Sequence, residues 1–166
     1  MQPEHLGAHA ARSEEDGFTL LELMMVILII GILIAVMSPV FLGATTRAKD
    51  RAAQSSLTNA TTGAKSYYLA KADYSGATPV TLTAEVGNLT FVAGATNPTG
   101  PNTISVFAPP GGTQLVLSGF SKSGNCFYVF DDEAAGSTVY SKLPSAGGCA
   151  ASGAPLPGDP SWKTSW

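Results

Sequence analysis

Apolar residues are distributed very unevenly along this sequence. Residues 1–16 are polar, lack periodicity and end in the acid run Glu14-Glu15-Asp16. At Gly17 the character reverses. Gly17-Phe18-Thr19-Leu20-Leu21-Glu22-Leu23-Met24-Met25 opens an apolar stretch that reaches Ala44 with a single charge, Glu22. That stretch is long enough to cross a bilayer as a helix, which takes about 20 residues. A lone carboxylate at its head is costly in such a setting and reads as functional. Gly31 and Pro39 are its helix-weakening residues. Pro39 withholds an N–H and crowds the preceding turn, which predicts a kink or a locally extended stretch between the two.

Past Ala44 the helical pattern continues with a different face. Arg47, Lys49, Asp50 and Arg51 mark a water interface. Beyond them Ala53, Leu57, Ala60, Ala64 and Tyr67 recur at spacings of four, three, four and three, a narrow apolar stripe along one side of a helix. Unbroken over residues 18–72, that helix would be about 80 Å long at 1.5 Å per residue. The remainder reads as β. Residues 81–86, 89–93, 103–108, 113–120, 126–131 and 138–143 are short runs with β-branched or aromatic members, most of them separated by Gly, Pro, Asn or Asp clusters. Tandem short strands with tight turns predict an antiparallel sheet built from hairpins. Residues 150–166 are rich in Gly, Pro and Ser and read as irregular.

Composition narrows the function classes. Net charge is −3, and from Phe18 onward acids and bases are equal in number, so no basic footprint argues for nucleic acid. Roughly 120 residues remain outside the leader and the span, enough for one modest core. Only 13% of residues are charged, against 18 Gly and 11 Pro, a weakly charged surface suited to packing on copies of itself. No nucleophile–His pair, phosphate loop or metal-ligand spacing is present, and His5 and His9 both precede Gly17. The chain therefore reads as a structural subunit and not an enzyme, with no catalytic residue, cofactor or metal called. Asp131-Asp132-Glu133 lacks the alternating spacing of a calcium loop and reads as a solvated turn. Tyr67 and Tyr68 read as core, and Trp162 and Trp166 as packed edges or surface contacts. Cys126 and Cys149 would form one disulfide if exported and remain two thiols in a reducing compartment. A secretory signal places its small residues after the apolar run, whereas Gly17 stands before it.

Gly17-Phe18-Thr19-Leu20-Leu21-Glu22, followed by the apolar run with Gly31 and Pro39, resembles the class III signal of type IV prepilins and the related pseudopilins. The resemblance implies that prepilin peptidase removes residues 1–17 by cutting between Gly17 and Phe18, and that Phe18 becomes N-methylated. It implies that Glu22 neutralises the N-terminal amine of a neighbouring subunit. A buried carboxylate persists only when paired, and a methylated amine keeps its positive charge, so the pairing is chemically sound. It further implies an α+β pilin fold: a long N-terminal helix, with residues 18–44 first in the inner membrane and later in a filament core and residues 45–72 packed on the head, then an antiparallel β head over residues 73–166. In that fold Cys126 and Cys149 resemble the disulfide that brackets a C-terminal loop, which would stabilise the head by roughly 3 kcal/mol. The implied partners are copies of the chain in a helical filament, the peptidase, the pilus assembly ATPase and its platform protein. The filament would lie outside the cell and serve adhesion, twitching or DNA uptake. A type II secretion pseudopilin, forming a short periplasmic filament, is the alternative. A membrane-anchored binding module that never polymerises is a third. The chain departs from the family in its acidic leader. Its charges also run against the usual bias, with Arg12 before the span and Arg47, Lys49 and Arg51 after it, which alone would put the head in the cytoplasm.

Overall fold

A computed structural model of the chain describes residues 17–166, so the leader before Gly17 lies outside the described residues. The described residues divide into two units between Phe41 and Leu42. One helix, α1 (Leu20–Lys71), contributes to both. In the first unit it is helical through Gly31 and Pro39, so the locally extended alternative is not adopted. The Ser38 hydroxyl there donates to the Ile34 carbonyl at 3.0 Å.

The second unit adds α2 (Pro79–Glu85), β1 (Thr90–Ala93), β2 (Thr103–Phe107), β3 (Gln114–Ser121), β4 (Asn125–Asp132), β5 (Ser137–Pro144) and a 3₁₀ turn at Ala151–Gly153. The five strands form one sheet in sequence order. Strands β2 to β5 are an antiparallel meander. The expected antiparallel sheet is nevertheless mixed, because β1 runs parallel to β2, with Thr90 opposite Thr103. The connection holds Asn97-Pro98-Thr99-Gly100-Pro101, whose two prolines lack the N–H groups a tight hairpin uses. It carries the chain back to the start of β1 before β2 begins.

A second correction concerns residues 81–86, expected as a strand and folded largely as α2. Thr78 is an N-cap in reciprocal hydrogen bonding with Thr81, and Pro79 stands at the first helical position. That start signal outweighs the β-branched Val80, Thr81 and Thr83. The helix anchors on Leu82, which is fully buried. Val86, just past its end, seats on α1 at Gly63, where a Cβ would lie 2.0 Å from Val86 Cγ2. Thr83 Oγ1 also accepts the Phe91 N–H on the outer side of β1, at 3.3 Å.

The core is the expected stripe of α1 laid on the sheet. Ala53, Leu57, Ala60 and Ala64 are buried with Ile104, Leu115, Leu117, Phe127 and Val129. Small residues on the helix and Gly119 on β3 allow close approach, since a Cβ on Gly119 would stand 3.3 Å from Leu57. Tyr67 and Tyr68 border this core half-buried, and Tyr74 is buried completely with its ring 4.7 Å from that of Tyr68.

Two polar clamps fix α1 to the strands. At one, Asp50 pairs with Lys142 of β5 at 2.8 Å and accepts from Ser121 at 2.8 Å, from Ser123 and from Asn125. Burial alone would push the Asp50 carboxyl up. The Lys142, Ser123, Ser121 and Asn125 donors more than offset it and bring it from 3.8 down to about 2. At the other, Lys65 lies 2.9 Å from Asp131 and 3.3 Å from Glu133, while the Tyr74 hydroxyl donates to Asp131 at 2.8 Å. Burial works against the Lys65 charge, but the two carboxylates outweigh it and hold that ammonium's pKa above its ordinary value.

The opposite face of the sheet is covered by residues 145–162. Ser118 donates to the Cys149 carbonyl, Ala151 N–H to Ser105 Oγ at 3.1 Å, and Cys149 N–H to Asn97 Oδ1 at 2.7 Å. Gly148 has φ +94°, with the Asn97 side chain where a Cβ would stand. Cys126 and Cys149 are joined in a disulfide. The tail is irregular beyond the 3₁₀ turn but ordered by its contacts. Trp162 packs on Phe130 of the far face, Lys163 exchanges two backbone hydrogen bonds with Tyr140 along the β5 margin, and Trp166 beyond it packs on Phe127 and Tyr140 on the helix side.

Two outcomes are expected of the full-length chain in detergent. Gly119→Val forces a methyl pair into Leu57 and should destabilise the head by about 1–3 kcal/mol in urea unfolding. The Asp50 carboxyl is depressed by folding, so its contribution is complete above about pH 4 and is lost as pH falls toward 2. Relative to Asp50→Asn, the parent should lose at most about 2 kcal/mol across that interval. Parallel stability curves for the two would rule this out.

Candidate functional site

The candidate site is the start of α1 and the apolar surface behind it. Every large apolar side chain from Phe18 to Leu42 is exposed, and the least exposed, Ile29, still shows 47% of its surface. A water-soluble helix buries at least one stripe. This one buries none in its own unit, and it is long and apolar enough to cross a membrane. Exposed apolar area on this scale requires a cover of lipid or protein.

Thr19 and Glu22 build the end of the helix together. The Glu22 N–H donates to Thr19 Oγ1 at 3.1 Å, and the Thr19 N–H donates to Glu22 Oε2 at 3.4 Å. These are the reciprocal bonds of a capping box, and they satisfy two donors that the first turn would otherwise leave open. The carboxylate also lies where the helix dipole favours negative charge. Only Oε2 is occupied by this arrangement; Oε1 accepts no hydrogen bond from the described residues. Glu22 is exposed, and so are Gly17 and Phe18, the latter at 88%. One end of the helix thus presents a backbone bond accessible to a protease and a carboxylate oxygen accessible to a cation.

Behind it, Met24, Ile27, Leu28, Gly31, Ile32 and Ala35 line a shallow apolar groove on one face. Gly31 forms its floor, and a Cβ there would touch nothing within 4 Å. Gly31 and Ala35, one turn apart, let another helix approach this face closely.

The remaining expected positions fall elsewhere. Asp131, Asp132 and Glu133 do not form a solvated turn. Strand alternation sends Asp131 and Glu133 to Lys65 and Tyr74, and Asp131 is buried. Asp132 accepts from the Gln114 side chain and the Ala135 N–H. The Cys126–Cys149 bridge fastens the covering segment to β4, in the second unit. The Thr19 cap was legible as Thr-x-x-Glu directly before an apolar run. Tyr74 and the Asp50 cluster had no comparable signal, because their partners lie more than fifty positions away in sequence.

Comparison with known proteins locates the signal in the same place. Residues 12–38 match the prokaryotic N-terminal methylation motif, the class III signal of type IV pilins. No curated protein and no solved structure matches the chain.

Thr19→Val removes the hydroxyl acceptor while keeping the shape. It should raise amide exchange at Leu20, Leu21 and Glu22 in micelles, consistent with the loss of about 1 kcal/mol of cap. Exchange at Ala53 to Ala64 should be unchanged.

Proposed function

We propose that this chain, which carries the class III signal of type IV pilins, is a type IV pilin subunit. In this reading prepilin peptidase cuts between Gly17 and Phe18, Phe18 is N-methylated, and the subunit is polymerised into a helical filament outside the cell. The observation that carries it is the conjunction at the head of α1. An exposed Gly17-Phe18 bond, a Glu22 with one uncommitted oxygen and an uncovered apolar helix lie within one segment.

Each part has a chemical role. Cleavage creates an ammonium four residues before Glu22, and methylation preserves its charge. In a parallel neighbour displaced along the filament axis, that ammonium meets Glu22 Oε1 while Oε2 continues to cap the helix. The pair forms inside an apolar bundle, where a lone charge is heavily penalised, so a subunit in the wrong register is rejected. The membrane holds the segment until the assembly ATPase and platform protein transfer it to the bundle. There Leu, Ile, Val and Met side chains replace lipid. The polar clamps keep the head rigid during that transfer, and the disulfide suits an oxidising compartment.

A type II secretion pseudopilin would use the same segment in the same way. The disulfide-fastened covering of the sheet favours the pilin, whose head works outside the cell. Adhesion, twitching and DNA uptake all remain compatible with the filament.

Material sheared from the cell surface and digested should contain a peptide beginning at N-methylated Phe18. Glu22→Ala should abolish surface filaments or reduce them at least tenfold while leaving the processed subunit in the membrane fraction. Recovery of full-length chain alone, or normal filament yield from Glu22→Ala, would overturn the reading.

A further inference from the structure

The four charges that follow the apolar stretch do not act together. Asp50 turns inward to Lys142, Ser121, Ser123 and Asn125 and keeps only 9% of its surface exposed. Arg47, Lys49 and Arg51 stay exposed, and among the described residues none has a carboxylate within salt-bridge distance. What reads in sequence as a mixed cluster therefore presents three cations and no anion.

Their placement around the helix is informative. At about 100° per residue, Arg47 and Arg51 share one side, and Lys49 stands about 160° away from Arg47. A protein docking on one helix face could meet the first two but not the third. A layer that surrounds the helix meets all three. Along the chain they begin five positions after Leu42, where the run of exposed apolar side chains ends. Residues 20–42 rise about 35 Å as a helix, against a hydrocarbon thickness of about 30 Å. The cations then fall about 7–14 Å beyond Leu42, within reach of the headgroup layer for side chains of this length. Arg47 is already turned that way, its guanidinium 3.7 Å from where a Cβ on Gly43 would stand.

We infer that Arg47, Lys49 and Arg51 form a belt that binds the phosphates of anionic phospholipid headgroups while the subunit waits in the membrane. The inference rests on the membrane-anchored stage of the proposed function. Burying Asp50 in the head is what frees the belt from internal neutralisation. The belt gives the leaflet holding the head a selectivity for anionic lipid that the apolar helix does not itself supply.

The full-length chain is placed in a bilayer of equal phosphatidylglycerol and phosphatidylcholine, and the lipids it retains are counted by native mass spectrometry. The parent should retain phosphatidylglycerol about fivefold or more over phosphatidylcholine. The triple substitution Arg47→Gln, Lys49→Gln, Arg51→Gln should bring the ratio near one, while Lys71→Gln with Lys122→Gln leaves it unchanged. Equal retention by the parent, or an undiminished preference in the triple variant, overturns the belt. So does cation-dependent self-association without lipid preference, which would assign these residues to a second copy. Resistance to alkaline carbonate extraction is measured alongside. A chain that resists extraction but lacks the preference loses only the belt, whereas one that is extracted loses the membrane-anchored stage itself.

Discussion

An apolar helical surface that its own chain does not cover sets the terms for this molecule. From Phe18 to Leu42 none of the large side chains described is buried, so the segment is stable only inside something else. A bilayer and a bundle of like helices are the two environments that match it in length and polarity. The proposed life of the subunit is a transfer between them. The single acid then becomes the element that distinguishes the two. In the proposed filament Glu22 would meet the Phe18 ammonium of a neighbouring copy, a partner that lipid chains do not supply.

The head answers a different requirement, to stay folded on a small core. The α1 stripe is mostly alanine, which brings helix and sheet close but buries little area per residue. Clamps at Asp50 and Lys65 add directional bonds about four turns apart along the helix, so the sheet cannot slide against α1 without breaking one of them. The covering segment closes the far side of the sheet with main-chain bonds to Ser105, Ser118 and Asn97, and the disulfide fixes where it begins. A small domain gains from such fastening because its core alone is marginal.

Much of this was legible in the residues. The apolar run, Gly17 and Glu22 are adjacent and lie within the methylation motif, so local reading suffices to find that segment. The stripe at Ala53, Leu57, Ala60 and Ala64 predicted which helix face would be buried, and the turn-separated runs gave strands β2 to β5. The misreadings share a cause. Val80, Thr81 and Thr83 favour strands by propensity, yet the Thr78-Pro79 start signal decided for helix. The parallel pairing of β1 depends on where a long proline-broken loop lands, which no local pattern encodes. Asp131 read as surface because its sequence neighbours are acidic, although strand alternation points it at a lysine on a distant helix. Local signals carried the elements and the methylation-motif segment; long-range pairing was out of their reach.

The sheet margins carry a consequence for how copies can join. On the β1 side, the Phe91 N–H is already taken by Thr83 of α2. On the β5 side, both backbone groups of Tyr140 are taken by Lys163. A second head that tried to extend the sheet strand by strand would have to displace one of these stoppers. Lateral growth of that kind leads to irreversible aggregates, and these two contacts oppose it. With both margins occupied, the uncovered apolar helix is the surface left for copies to join in the proposed filament.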